Sequence, residues 1–319
     1  MKTQRTSAIK RGFTLMELMV AMAITTIIVT VLVSITSIAL DTWNRSRSEL
    51  RASRQAKSMI DTMARDFESL VTRRGNTNEW LSAIVDPDLS NLGNSKLKSE
   101  NASRLVFFTA ATDRYNGKIG DPIEDLGGDV SCVAYRLEYR DPIDPAGTNK
   151  FETFVLNRLL VDPKATFEKL LGKTDSTNTA KSLDKVFDAE YATELVKPKY
   201  FVCENIYQFT VTFHVQVTTV PATTTTPATV VNVPVTIGHT ADTFRIGGTK
   251  ITNDFSGTGA TAVQIESGRV TAVGISATVL SDFGVEQSKN RTFADADAKA
   301  KFFAQNSYEY SKLIQLPGM

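Results

Sequence analysis

The residue types best suited to acid–base and metal chemistry are scarce in this chain. It holds two histidines, His214 and His239, and two cysteines, Cys132 and Cys203. Ser-His-Asp triads need a suitably placed histidine, and many zinc sites need several, so two separated histidines argue against both. His214 falls on the polar side of an alternating segment and is interpreted as a surface residue. No GxSxG, P-loop, GxGxxG or HExxH string occurs. The sequence therefore predicts no catalytic site.

The cysteines lack the CxxC spacing of a zinc or redox site, so they form one disulfide or stay as two thiols. Cys132 lies within a predicted strand and Cys203 just before another. Nothing in the sequence fixes their Cα atoms within the roughly 4.4 to 6.8 Å that a disulfide needs, which favours two thiols.

An acidic, glycine-rich segment offers a second kind of chemistry. Its carboxylates belong to Asp121, Glu124, Asp125 and Asp129, which surround two adjacent glycines. Carboxylate oxygens are hard ligands that suit Ca²⁺. The spacing is not that of an EF-hand loop, and acidic glycine-rich turns are common. A solvated turn is therefore favoured, with a calcium site as the alternative and no other cofactor expected.

The most unusual single residue is Glu17, which immediately precedes an apolar segment. Leu18 to Leu40 contains no charged residue. An acid beside such a segment is costly when unpaired, and it is usually functional. No Lys, Arg or His lies between Phe13 and Leu40. The partner of Glu17 is therefore the basic leader, a lipid headgroup, or a new α-amino group made by cleavage after Gly12.

The apolar segment predicts one transmembrane helix. At about 1.5 Å per residue it spans roughly 35 Å, enough to cross a hydrocarbon core of about 30 Å. Residues 1–12 carry four basic residues and no acid. By the positive-inside rule the leader stays cytoplasmic and the remainder is exported. The formal net charge is only +1, which argues against a nucleic-acid partner.

The junction of leader and apolar segment resembles a known signal. K-R-G-F-T-L-M-E at positions 10–17, followed by an apolar helix, is similar to the class III signal of type IV prepilins and type II secretion pseudopilins. The resemblance implies that a prepilin peptidase cleaves after Gly12 and that Phe13 is then N-methylated. It also implies that Glu17 docks the subunit into a filament. Several pseudopilins bind calcium through loop carboxylates, which adds interest to the acidic segment.

Two other interpretations of the N-terminus remain open. An ordinary secretory signal could be cut at Ala21-Met22-Ala23, but its apolar region would contain Glu17 and would leave an apolar stretch behind. A plain single-pass anchor explains length and charge but leaves Glu17 and the Gly12-Phe13 junction to chance. The prepilin interpretation accounts for all of these features.

The rest of the chain predicts an α+β protein: a long N-terminal helix packed on a β-rich, mostly antiparallel head, as in pilins. We expect a leader at 1–12, a transmembrane helix at 13–40, an amphipathic continuation at 41–74 and the head at 75–319. A Thr/Pro-rich loop at 218–229 interrupts the head. The helix is expected to continue because apolar residues recur at spacings of three and four up to Val71.

Strand and helix patterns place the elements of the head. Strands are predicted at Leu105 to Ala110, Val130 to Arg140, Phe151 to Val161, Tyr207 to Thr219, Val230 to Ile237 and Ala272 to Leu280. Peripheral helices are predicted at Ala180 to Val196 and Thr292 to Gln305. The stretch from residue 75 to Ser103 is predicted as a connecting loop with one short helix.

The order of these segments is similar to that of J-type minor pseudopilins and their type IV pilus counterparts. The resembling segments are V-A-Y-R-L at 133–137, L-N-R at 156–158, F-T-V-T-F at 209–213 and the late strand at 272–280. The expected function is assembly into a secretion or pilus-like filament of the inner membrane, with its head in the periplasm. The expected partners are other pilin subunits and the peptidase. A membrane-tethered adhesion protein is the alternative, and a periplasmic enzyme would require a polar pocket with shifted carboxylate pKa values.

Overall fold

The computed structural model describes residues 14–72, 78–85, 103–110, 129–142, 152–171, 182–220, 228–238, 243–253 and 261–316. The chain divides into two units, Met1–Ser48 and Glu49–Met319. The described residues form an α+β fold in which a long helix, α1 (Leu15–Glu68), precedes antiparallel sheets. The fold class predicted from the sequence is therefore confirmed.

In the N-terminal unit, α1 is apolar and exposed. Residues 18–40 contain no charge, and none of their side chains is buried. The hydroxyls of Thr25, Thr26, Thr30 and Thr36 donate to carbonyls four residues earlier, at 2.7 to 2.8 Å. These bonds satisfy the hydroxyls within the helix, so the segment can enter a hydrocarbon environment without an unpaired hydroxyl donor at these positions.

In the described part of the C-terminal unit, the strands form two antiparallel sheets. Sheet A has the strand order β5-β4-β3-β2-β1-β8-β9, and sheet B has the order β11-β10-β6-β7. The strands of sheet A are β1 (Glu79–Val85), β2 (Ser103–Thr109), β3 (Ser131–Arg140), β4 (Thr153–Leu160), β5 (Phe201–Glu204), β8 (Thr243–Gly247) and β9 (Ile251–Asn253). Those of sheet B are β6 (Ile206–Val220), β7 (Thr229–Ile237), β10 (Arg269–Leu280) and β11 (Ser307–Gln315).

Short helices complete the unit. They are α2 (Pro163–Ala165), which continues as a π-helical turn (Thr166–Leu170), α3 (Leu183–Leu195), a 3-10 turn (Pro198–Tyr200), α4 (Ala262–Glu266), α5 (Asp282–Asn290) and α6 (Ala296–Asn306). The N-caps of α4, α5 and α6 are Thr261, Ser281 and Asp295, each of which accepts a hydrogen bond from the first turn of its helix.

The second half of α1 supplies one side of the core. Its apolar positions recur at spacings of three and four and are buried from Ala52 to Phe67. The Phe67 ring stacks on Phe107 of β2, with centroids 4.3 Å apart. The two sheets meet where Phe213 of β6 stacks on Phe244 of β8, also at 4.3 Å.

Sheet A is covered on both faces. Leu81 pairs with Phe107, so these two side chains share the face that contacts α1. The neighbouring Ser82 faces the other way and donates to Asp184 of α3 at 3.5 Å. The whole of β2 is buried because both of its faces lie inside the protein.

All six predicted strands are present, within a few residues of their predicted limits. Three predictions are wrong. The helix ends at Glu68 and not near residue 74, because Leu70 forms a bridge to Thr109 and Val71 donates to the Phe108 carbonyl at 2.9 Å. The predicted connecting loop contains the buried strand β1. Neither α3 nor α6 is peripheral, because both contribute buried side chains to the core: Leu183, Phe187, Leu195, Phe302 and Phe303.

Candidate functional site

The N-terminal end of α1 is closed by a reciprocal pair of hydrogen bonds between Thr14 and Glu17. The Thr14 hydroxyl accepts from the Glu17 backbone N–H at 3.2 Å. The Glu17 carboxylate in turn accepts from both the Thr14 backbone N–H and the Thr14 hydroxyl, each at 3.0 Å. This is a capping box, which satisfies backbone donors that the first helical turn leaves free.

The sequence contains a local signal for this capping box. Thr14-Leu15-Met16-Glu17 has the T-x-x-E spacing of the motif, immediately before an apolar run. Glu17 therefore has a local role as a cap in addition to the charge-pairing role expected of it. Gly12 and Phe13, the predicted cleavage junction, lie outside the described residues, so their processing stays a prediction.

A polar cluster in the C-terminal unit fixes the other end of α1. Asp66, in the last turn of the helix, accepts from Arg158 of β4 through both carboxylate oxygens, with the two N–O distances at 2.7 Å. The Tyr135 hydroxyl of β3 donates to the same carboxylate at 2.5 Å, and Arg158 Nε donates to that hydroxyl at 3.0 Å. A carboxylate is unfavourable near a helix C-terminus, so these donors compensate it.

The pKa shifts in this cluster follow from its burial and charges. Burial raises the pKa of Tyr135 well above its usual range, and the adjacent Asp66 carboxylate raises it further. Although burial opposes the charge of Arg158, hydrogen bonds to Asp66 and Tyr135 raise the pKa of this guanidinium. The tyrosine therefore remains a hydrogen-bond donor and the arginine a cation at physiological pH. The cluster holds the end of α1 against sheet A.

A second polar cluster holds α3 against sheet A. The Glu79 carboxylate of β1 accepts from the Leu183 backbone N–H at 2.8 Å, at the first residue of α3. Arg245 of β8 lies 3.6 Å from Asp184 and 4.0 Å from Glu79. Burial raises the pKa of Glu79, against the lowering effects of the Leu183 hydrogen bond and Arg245. The Glu79 carboxylate, whose pKa is raised, caps the N-terminal end of α3.

Neither cysteine forms a disulfide and both are buried, as the favoured prediction states. Leu156 of β4 pairs with Cys203, whereas the Val161 N–H donates to the Cys132 carbonyl. The offset of five residues from Leu156 to Val161 separates the cysteines by roughly 16 Å along the strands. Their side chains also point to opposite faces of sheet A. No disulfide can join them in this fold.

The calcium alternative is largely untested by the structure. Asp121, Glu124 and Asp125 lie outside the described residues, and Asp129 is exposed. Within the described ranges, no group of three or more His, Cys, Asp or Glu side chains is placed to hold a metal ion. The prediction of a solvated turn, with calcium as the alternative, therefore stays a prediction.

A surface groove of about 340 Å³ lies between the β8–β9 hairpin and the start of β10. Lys250 and Glu266 lie on its lining, with the ammonium nitrogen 3.7 Å from the nearest carboxylate oxygen. Both side chains are largely exposed, and each neutralises the other.

Comparison with known families identifies the N-terminal segment. Residues 8–33 match the family model described as the prokaryotic N-terminal methylation motif. No curated protein and no solved structure matches the chain significantly. The N-terminus therefore carries a prepilin signal of the type IV pilin and pseudopilin kind. Proteins with this motif are structural filament subunits that a prepilin peptidase processes and that assemble with other pilin subunits.

The motif and the helix together support membrane anchoring. The matched residues include most of the exposed apolar part of α1, a helix that is long and apolar enough to cross a membrane. The capping box lies inside the same match, at the point where the helix begins. This region is predictable from the sequence, whereas the Asp66 cluster is not, because its members are distant in the chain.

Proposed function

We propose that this chain is a minor pseudopilin or minor pilin-like subunit of a type II secretion or type IV pilus-like filament. It acts by assembly and not by catalysis. The observation that carries the proposal is the continuity of α1: the methylation motif runs into an exposed apolar helix, and the same helix continues as the buried spine of a folded unit. A filament subunit needs these three parts in this order.

Processing is the first step of the proposed function. A prepilin peptidase cleaves between Gly12 and Phe13, and the new N-terminal Phe13 is methylated. Cleavage removes four basic residues and creates an α-amino group four residues before Glu17. This amine supplies the cationic partner that the apolar segment itself lacks, either on the same chain or on a neighbouring subunit.

The leader sets the orientation before cleavage. Lys2, Arg5, Lys10 and Arg11 hold residues 1–12 in the cytoplasm, so the C-terminal unit faces the periplasm. After cleavage the apolar helix leaves the inner membrane for the filament core. The partners are the peptidase and other pilin or pseudopilin subunits.

The subtype we propose is J-like. Its support is the order of the segments at 133–137, 156–158, 209–213 and 272–280, which lie on β3, β4, β6 and β10. A minor subunit of this type occupies a position at or near the filament tip, where its C-terminal unit meets other minor subunits or cargo.

The test follows the full-length protein in cells that produce the filament. We expect mass spectrometry to find a mature terminus at methylated Phe13, and we expect the protein in sheared or copurified filaments. Gly12→Leu should leave the leader attached. A terminus at Met1 or near residue 24 would contradict the processing step. Copurification with a surface ligand and without filament subunits would favour the adhesion alternative.

A further inference from the structure

The two outer strands of sheet B differ in how they are protected. An outer strand exposes a row of backbone N–H and C=O groups, which can pair with another chain unless charges or proline block it. At one side of sheet B, β7 carries Pro234, which lacks an N–H and interrupts the row. At the other side, β11 has neither proline nor glycine.

The strand β11 is long and regular. It has nine residues, and every one pairs with β10 without a register shift. Among the described residues it pairs with β10 alone. From Glu309 to Gln315, the described part of the chain provides no other backbone partner. This segment therefore presents an open hydrogen-bonding edge.

The two charged side chains of β11 do not prevent another strand from pairing with this edge. The Lys312 ammonium donates to Asp61 of α1 at 3.1 Å. Glu309 accepts from the Ser276 hydroxyl of β10 at 3.0 Å, so its carboxylate is directed over its own sheet. Between them, Leu313 is 56% exposed. Both charged side chains are engaged within the protein, while an apolar side chain remains available to a partner.

We propose that the free edge of β11 binds an extended strand from a neighbouring pilin-type subunit, which becomes the fifth strand of sheet B. The edge selects an extended polypeptide because its ladder of N–H and C=O groups matches only another strand. Exposed Leu313 selects an apolar side chain on that strand. The proposal rests on the proposed function, since it assumes neighbours in a filament.

The test uses the full-length protein in filament-producing cells, with a photo-crosslinking benzoylphenylalanine at position 313. The matched control places the same residue at 230 on β7, where Val230 is 48% exposed on the proline-guarded strand of the same sheet. We expect an adduct with a methylated pilin-type subunit from position 313 and none from position 230. Equal adducts at both positions, no adduct at 313, or an adduct with a protein lacking the methylation motif would each overturn the proposal.

A second measurement uses charge in place of a crosslinker. Leu313→Lys should lower incorporation into filaments about tenfold, because pairing would desolvate the new ammonium group. Val230→Lys should leave incorporation unchanged. If wild type and Leu313→Lys enter filaments equally, the edge proposal fails and the filament function stands. If wild type itself is absent from filaments, the filament function fails and the edge proposal fails with it.

Discussion

Asp66 in the last turn of α1 and Arg158 on β4 form a two-point ion pair, with both N–O distances at 2.7 Å. The Asp66 side chain is 3% exposed and that of Arg158 is 17% exposed. This pair joins the helix to the sheet away from bulk water. If one partner is removed, water therefore cannot readily compensate the charge of the other.

Asp66→Asn should therefore destabilise the C-terminal unit by about 3 kcal/mol, since it leaves the Arg158 guanidinium buried without its counter-charge. The matched control is Asp61→Asn on the same helix. Asp61 pairs with Lys312, but both side chains are much more exposed, at 49% and 40%. The control should cost at most about 1 kcal/mol.

Urea unfolding of the detergent-solubilised full chain measures both variants. The chain has two tryptophans, Trp43 and Trp80. Trp80 is 4% exposed and donates to the Gly247 carbonyl at 3.1 Å, so its emission reports unfolding of the C-terminal unit. A Trp43→Phe background isolates that signal. Equal losses for the two aspartate variants would show that burial of the Asp66 pair is unimportant.

The Glu79 cap predicts a pH-dependent effect. Burial raises the folded-state pKa of Glu79 above its unfolded value, so the protonated form is favoured in the fold. Its stabilising contribution is complete below the unfolded pKa and is lost as the pH rises through the folded pKa. Glu79→Gln stays uncharged and can still accept from the Leu183 N–H. The free energy of unfolding of this variant, relative to that of wild type, should therefore be higher at pH 7 than at pH 4, by about 1 kcal/mol or less.

Glu79→Ala is the control for the cap itself. It removes the acceptor as well as the charge, so it should be less stable than Glu79→Gln by about 1 kcal/mol at both pH values. Unfolding curves at pH 4 and pH 7 for the three proteins give the comparison. A Glu79→Gln effect that is the same at both pH values would show that Glu79 does not titrate differently on folding.

The cysteines should be unreactive in the folded protein. Both are fully buried, and burial raises the pKa of Cys203 to about 12, which keeps its thiol protonated. We expect mass spectrometry to find no maleimide adduct in the native full chain and two adducts after unfolding, with or without prior exposure to oxidant. Leu313→Cys, at an exposed position, is the reactive control. Loss of both thiols on mild oxidation would contradict the strand register of sheet A.

The strands that the sequence predicted best have one face buried and one face exposed. In β6 the odd-numbered residues from Phe209 to Val217 are buried and alternate with polar residues, and this period of two is visible in the sequence. In β1, Trp80 to Ala83 are buried on both faces, so no alternation marks the strand. In β11 the alternation is obscured because Lys312 occupies an inward position and pairs with Asp61.

The candidate sites also differ in whether the sequence alone predicts them. The methylation motif and the capping box are local, so their spacing is readable within a few residues. The Asp66–Arg158 pair joins residues 92 positions apart, and only the register of β3 and β4 brings Arg158 beside Tyr135. A single sequence contains no local pattern for such a contact, because many arginines could serve equally well.

Glu17 has one observed role and one expected role, and substitutions can separate them. As a cap it accepts from Thr14, and as a charge it is expected to pair with the α-amino group of processed Phe13. Glu17→Gln keeps a carbonyl acceptor for the capping box but removes the charge. Thr14→Ala removes the hydroxyl from the box but keeps the charge.

We expect Glu17→Gln to be inserted and cleaved normally but to be lost from filaments, because an unpaired α-ammonium in an apolar filament core costs roughly 3 to 5 kcal/mol. Insertion should survive, since removing an acid makes the span more apolar and the basic leader is unchanged. Glu17→Ala, which removes both roles, should be lost from filaments as well.

Thr14→Ala should still enter filaments, because weakening a cap costs only about 1 kcal/mol. The measurement compares each protein in the membrane fraction and in sheared filaments, with mass spectrometry confirming cleavage. Loss of Thr14→Ala with retention of Glu17→Gln would assign the capping box, and not the charge, to assembly.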